Sequence, residues 1–426
     1  MIGRPRRSGR LQGRLGALIK GIVASFAGLF AVGLIGTLVQ SLTVRQLGPE
    51  RYGEYTLLLT SLAFLSSLLG FGLDTWVLKD GGQHPERLAD DVWQILLLKA
   101  AGALIIGVAL AIGWVGHAQY NAAFLLGVVG AALSAFIQTV YAALRARQRN
   151  GQVALFQALE PILLLAALLL TSANDLSVLL LMAVRVGCYI VLFVLLLRRL
   201  SAVCGLIHYH LNPLRGLRGA WLYLVSDGLA NVYSQAPTAI LGATAGTLAV
   251  GLFRPPLDII MLLYALPTLG FYVALPILSS ADIGRAEYRR LLLTILGGAL
   301  LYGVGAMAGI MLFGGRAIDA LAGPEYRESL RFMLLLAPLP LLKAGSFVAA
   351  AVMLSRDRVQ YRVFVQAAVA LACVGLGWLI IPRYGSDGAA ALVLLIEALL
   401  LALYTVAAWL AYRRNPPRAE PGVSRK

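Results

Sequence analysis

The chain has 426 residues, of which 59% are hydrophobic and 13% charged, with mean hydropathy +0.80. A soluble domain is about 45–50% apolar and about 25% charged, so this composition excludes a soluble globular protein and leaves no room for a sizeable soluble domain. The net charge of +16 would suggest a nucleic-acid partner in a soluble protein, but here it lies in the loops and reads as topology, with no nucleic acid implied. Three cysteines (Cys188, Cys204, Cys373) form no CxxC pair, so neither a disulfide framework nor a metal site is indicated. His208 and His210 stand close together without a third ligand nearby.

Arg4, Arg6, Arg7, Arg10 and Arg14 precede an apolar run from Ala17 to Thr43. That run is too long for a signal-peptide core and reads as an uncleaved first span. A span needs about 20 apolar residues, and twelve segments qualify: 18–43, 56–79, 93–114, 121–144, 153–171, 176–198, 220–241, 257–279, 291–313, 329–354, 363–382 and 389–411. The expected fold is all-α and polytopic. Lys and Arg in the connections divide 25 to six between the two sides. By the positive-inside rule both termini are cytoplasmic, and the turn Leu47-Gly48-Pro49-Glu50 is on the outer face of the cell membrane.

An internal repeat divides the chain into six plus six spans. Offset by 209, Arg147, Arg149 and Gln157 fall on Arg356, Arg358 and Gln366; offset by 198, Gly48 and Gly53 fall on Gly246 and Gly251. Both halves begin inside, so the repeats are parallel, the plan of transporters whose site lies between two rocking lobes. The expected organisation is a basic tail (1–17), an N-terminal lobe (18–198), a cytoplasmic linker (199–219), a C-terminal lobe (220–411) and a second basic tail (412–426).

Four stretches carry a family resemblance: R-Q-L-G-P-E-R-Y-G-E-Y (45–55), G-F-G-L-D-T-W-V-L-K (70–79), A-G-T-L-A-V-G-L-F (245–253) and P-R-Y-G-S-D-G-A-A (382–390). The first resembles the signature of Wzx/RfbX-type polysaccharide and oligosaccharide flippases, in the multidrug/oligosaccharidyl-lipid/polysaccharide exporter superfamily. The resemblance implies a flippase, with no catalytic role, that moves a polyprenyl-pyrophosphate-linked oligosaccharide to the periplasmic leaflet for polysaccharide or O-antigen assembly. It also implies that spans one, two, seven and eight line a central cavity. The implied partners are the lipid-linked oligosaccharide, membrane lipids and other polysaccharide-assembly proteins. No cofactor is expected, with Na⁺ or H⁺ as candidate coupling ions. No GxxxxGK[ST] motif points to direct use of ATP.

Charged residues inside spans are costly and serve either function or internal pairing. Asp74, Asp227 and Asp258 fall on the expected cavity helices, where they suit sugar hydroxyls or a coupling ion. Asn231 and Gln235 follow Asp227 at helical spacing, so the three share one face. Arg45 flanks the outer turn and Arg254 the related turn of the second half; they either receive the pyrophosphate at release or anchor at head groups. Lys99, Glu160, Arg185, Lys343 and Glu397 lie on spans assigned to lobe interiors, as a polar path or as structural pairs. Glu160 and Arg185 are at depths an arginine side chain can bridge. Lys20 is near the inner face and is expected to snorkel. Two other readings stay open: a cation-coupled drug exporter, which would favour acidic and aromatic cavity residues, and a membrane glycan polymerase or ligase, which would need a larger outer loop.

Overall fold

The structure is a computed structural model that describes residues 8–414 apart from 71, 117–121, 172–175, 205–212, 269, 272–277, 279–284 and 356–358. Parts of both basic tails and the middle of the expected linker, with His208 and His210, therefore lie outside the described residues, as do the side chains of Lys20 and Cys204.

The described chain is helical throughout. The N-terminal lobe holds α1 (Ser8–Gly70), α2 (Leu73–Gln83), α3 (Leu88–Gly116), α4 (Ala122–Ala146), α5 (Asn150–Leu170) and α6 (Val178–Cys204). The C-terminal lobe holds α7 (Pro213–Leu262), α8 (Arg285–Leu321), α9 (Ser329–Leu335), α10 (Leu339–Leu354) and α11 (Val359–Arg414). Among the described residues, nine helical segments are long and apolar enough to cross a bilayer. Three of them, in α1, α7 and α11, fold at a glycine of positive φ: Gly48 (70°), Gly246 (84°) and Gly385 (56°). The expectation of twelve crossings rests on each of these three counting as two.

Only a glycine adopts such a φ without a Cβ penalty. At the first turn, Pro49 also disfavours helix at the residue before it. Three expected spans are interrupted among the described residues; the eighth, 257–279, leaves α7 at Leu262 for a turn at Leu263 and Tyr264. The second, 56–79, stops at Gly70, and Gly72 in left-handed geometry (φ 62°) starts the separate helix α2. Asp74 then lies in the first turn of α2, where exposed N–H groups favour a carboxylate. The tenth, 329–354, breaks at Leu336–Pro338 into α9 and α10.

The main apolar core runs through both lobes, from Val44 and Tyr52 of α1 through Phe253 and Ile260 of α7 to Leu392 and Leu400 of α11. A second core, around Leu73, Trp76, Val92, Val140 and Leu196, locks α2 to α3, α4 and α6. Large apolar side chains such as Leu104, Ile105, Leu170, Leu301, Leu312 and Leu371 are exposed. On a polytopic helical protein that surface belongs to lipid, and no soluble domain carries so much of it.

Candidate functional site

The two lobes enclose a cavity of ≈ 1040 Å³. Its described lining comes from α1, α2, α4, α5, α6 and α7, with no residue of α8 to α11. Helical periodicity explains which faces contribute. On α4 the lining residues Gly127, Gly130, Ala131, Ser134, Gln138 and Tyr141 recur at three and four, one stripe of a 3.6-residue helix. On α5 they are Gln157, Glu160, Pro161 and Leu164, and on α7 Asp227, Asn231 and Gln235. The cavity is exposed at the end that carries Gln138 and Asp227 and closed at the end of the two glycine turns.

Backbone proximity makes the closure. Gly53 and Gly251, which correspond in the repeat, pack against each other's turn. A Cβ on Gly53 would collide with the Thr247 carbonyl, and one on Gly251 with the Pro49 carbonyl. Polar contacts between lobes surround this crossing. The Ser41 hydroxyl donates to the Leu321 carbonyl at 2.6 Å. Tyr326 donates to the Val44 carbonyl at 3.0 Å. Burial, and then the neighbouring Glu325, push the Tyr326 phenol well above its usual pKa, so it stays a neutral donor.

Just inside the crossing, Asp258 of α7 gathers three side chains. It accepts from Arg254 Nε at 2.7 Å, Gln40 Nε2 at 2.6 Å and the Tyr52 hydroxyl at 3.1 Å. Arg254 also reaches Thr238 at 3.4 Å. Gln40 and Tyr52 belong to the N-terminal lobe, so this carboxylate ties the lobes together.

At the exposed end, Asp74 accepts from Lys99 Nζ at 2.8 Å and Thr139 at 2.7 Å. Lys99 also donates to the Ala135 carbonyl at 2.8 Å, and its side chain is fully buried. Thr75 donates to Asp227 across the lobes at 3.4 Å, with Arg362 as the neighbouring cation. On the N-terminal wall Arg185 pairs with Glu160 at 3.1 Å. It also donates to the hydroxyls of Tyr55 at 2.8 Å and Tyr189 at 3.1 Å. Three of the four lining carboxylates, Asp74, Glu160 and Asp258, thus hold a cation in direct contact, and both lining arginines are paired.

Of the residues expected at a cavity, Asp74, Asp227, Asn231, Gln235, Arg254 and Asp258 line it, and Arg45 does not. Arg45 is exposed and donates to the Asp319 carbonyl at 3.1 Å and to the Ala320 carbonyl. It covers the last carbonyls of α8, which have no partner within the helix. Glu160 and Arg185, on helices assigned from sequence to the lobe interior, are on the cavity wall. Lys343 and Glu397 pair at 2.6 Å within the C-terminal lobe, away from the cavity. Sequence reasoning missed Gln40, Tyr52, Tyr55, Gln138, Gln157 and Tyr189. Their signal is a polar side chain at helical spacing from a charge within an apolar span, as Gln157 is from Glu160 and Tyr189 from Arg185.

A family model described as polysaccharide biosynthesis protein matches residues 42–331, about two thirds of the chain. Comparison with curated proteins gave no match. Several solved structures share the fold. The lipid II flippase MurJ in an inward closed conformation is 11% identical, with TM-score 0.74 over 92% of this chain and 87% of that one. A multidrug resistance MATE family transporter of the MOP superfamily, outward-facing, is 14% identical, with TM-score 0.66 over 93% and 96%. A MOP superfamily transporter from Pyrococcus furiosus is 16% identical, with TM-score 0.65 over 93% and 95%.

Proposed function

The chain belongs to the polysaccharide biosynthesis protein family, and from that premise we propose that it flips a polyprenyl-pyrophosphate-linked oligosaccharide across the cell membrane by alternating access. A multi-pass helical membrane protein with the fold of MOP superfamily transporters is the ground on which the proposal stands. The observation that carries it is the cavity. Its ≈ 1040 Å³ lies at the upper limit of the roughly 300–1,000 Å³ typical of drug-sized ligands. Its described lining holds four carboxylates and two arginines and is rich in tyrosine and glutamine, groups that exchange hydrogen bonds with hydroxyls.

With the glycine turns on the outer face, as the loop charges argue, the described state opens inward. A glycan head group enters at the Asp74 and Asp227 end. Outward opening then separates Gly53 from Gly251 and breaks the Gln40 and Tyr52 bonds to Asp258. Arg254 keeps its bond to Asp258 within α7, and the departure of Gln40 and Tyr52 uncovers its guanidinium for the pyrophosphate, which guanidinium binds in bidentate geometry. Na⁺ and H⁺ are the candidate driving ions. The chain carries out no covalent step in this scheme.

Reconstitution tests the proposal. The full chain is placed in proteoliposomes with the lipid-linked glycan of the producing cell, and glycan reached by an external glycosidase is followed with time. Cleavage should run past the outer-leaflet pool, which alone is cut in protein-free vesicles. Identical cleavage in both would defeat the proposal. The drug-exporter reading draws on the four lining carboxylates, Asp74, Glu160, Asp227 and Asp258. Cation-driven efflux of ethidium from the same vesicles, without glycan movement, would favour it.

A further inference from the structure

We propose that the N-terminal wall of the cavity, built from Tyr55, Gln138, Gln157, Glu160, Arg185 and Tyr189, is a subsite for the neutral sugar portion of the substrate, separate from the Arg254 and Asp258 end. This rests on the flippase reading above and says which part of that substrate binds where.

The first argument is exposure. A pair that only holds helices together is more enclosed, as at Lys343 and Glu397, which lie away from the cavity with 18% and 10% of their side chains exposed. Arg185 and Glu160 keep 25% and 24% of their side chains exposed although they meet at 3.1 Å, and both line the cavity. Water or a ligand reaches them from there.

The second argument is charge. Arg185 divides its donors among Tyr55, Tyr189 and Glu160, and Tyr189 is hydrogen-bonded to Glu160 in turn. The cluster has no net charge. A sugar hydroxyl needs no ion pair broken: it donates to the partly exposed Glu160 carboxylate or accepts from a glutamine amide. Tyr55 accepts from Arg185, which leaves its own O–H to donate. Gln138 and Gln157, on the same wall, each add two donors and an acceptor.

The third argument is mechanical. All six residues belong to one lobe, on α1, α4, α5 and α6. When the lobes rock, the six keep their mutual geometry, whereas the Asp258 network, shared between lobes, must break. A group bound to this wall is therefore carried through the transition with its hydrogen bonds intact. The repeat does not duplicate the site: Gln366, at the position of Gln157, is buried and accepts from Ser226 at 2.6 Å inside the C-terminal lobe.

The test uses purified full-length protein in detergent and two probes, polyprenyl pyrophosphate without sugar and the glycan-bearing lipid extracted from the producing cell. The variants are the double change Glu160→Gln with Arg185→Gln, which removes both charges together, and Gln157→Leu, which disturbs no ion pair. Wild type should bind the glycan-bearing lipid at least about tenfold more tightly than the bare one, the worth of one or two hydrogen bonds. Both variants should lose that preference and keep affinity for the bare lipid. Equal binding of the two lipids by wild type, or an unchanged preference in the variants, would overturn the subsite, as would equal loss for both probes. If the double variant does not fold, Gln157→Leu decides. Wild type that binds neither lipid overturns the flippase reading itself, and the subsite with it.

Discussion

Gln157 and Gln366 occupy equivalent places in the repeat, yet one faces the cavity and the other is bonded to Ser226 within its lobe. The ion pairs differ in the same way. Glu160 and Arg185 link neighbouring helices at the cavity wall, a quarter exposed. Lys343 and Glu397 link α10 to α11 with side chains 18% and 10% exposed, Lys343 stands over the Tyr264 ring at 5.5 Å, and Glu397 Oε2 is buried without a hydrogen-bond partner. Two lobes of one plan have thus separated their tasks. Among the described residues, α4, α5 and α6 of the N-terminal lobe turn polar residues to the cavity, whereas in the C-terminal lobe only α7 does so, and the charges of α10 and α11 face inward, where they hold that lobe's own helices together.

The sharpest way to break this comparison is Lys343→Met. It strands Glu397 in an apolar interior, and removing one partner of a buried pair costs about 3–5 kcal/mol. Thermal unfolding in detergent should show a large loss, and the double variant Lys343→Met with Glu397→Met should recover most of it. Discrimination between glycan-bearing and bare lipid should survive in the double variant; its loss would mean that the C-terminal pair also serves the substrate.

Asp258→Asn is next. The carboxylate accepts three side-chain bonds, and bonds to charged groups contribute about 1.5–3 kcal/mol. The closure between lobes should weaken. Cysteine pairs placed across the glycine crossing would then cross-link more slowly, while α5 to α6 cross-links within the N-terminal lobe stay unchanged. Equal slowing of both would show that the residue supports the whole fold instead of the closure. A smaller effect is expected for Tyr326→Phe, which deletes one neutral bond to the Val44 carbonyl, worth about 0.5–1.5 kcal/mol, and should slow the same cross-links modestly.

The smallest effect is expected at Arg331, which pairs with Asp387 at 2.6 Å but is 67% exposed. Exposed pairs contribute about 0–1 kcal/mol, so Arg331→Ala should leave both unfolding and cross-linking nearly as they were. A large loss there would mean that the contact between α9 and the glycine fold of α11 matters more to the C-terminal lobe than its buried pair does.

Much of this architecture is legible in the residues. Apolar run length marks the helices because a bilayer admits only backbone whose hydrogen bonds are met internally. Gly48 and Gly246 mark the folds because a positive φ requires a residue without Cβ. The stripe of Asp227, Asn231 and Gln235 follows from helical spacing. The interruptions at Gly70–Gly72 and Leu336–Pro338 carry a local signal, glycine or proline inside an apolar run, although hydropathy alone continues across both. The contacts of Arg45 were not legible, because its charge next to the turn says nothing of which carbonyls lie nearby, and those belong to a helix some 275 residues later in the chain.

What the sequence determined by itself was the kind of protein: a membrane protein of two related halves, with charges placed where apolar spans rarely hold them. That follows from composition and periodicity, which are local properties. Only the tertiary structure decided which face each span turns to the cavity, that Glu160 and Arg185 look into it while Lys343 and Glu397 do not, and that Gly53 and Gly251 touch at backbone distance. Those are long-range facts, set by how helices far apart in the chain pack, and no spacing within a single helix encodes them.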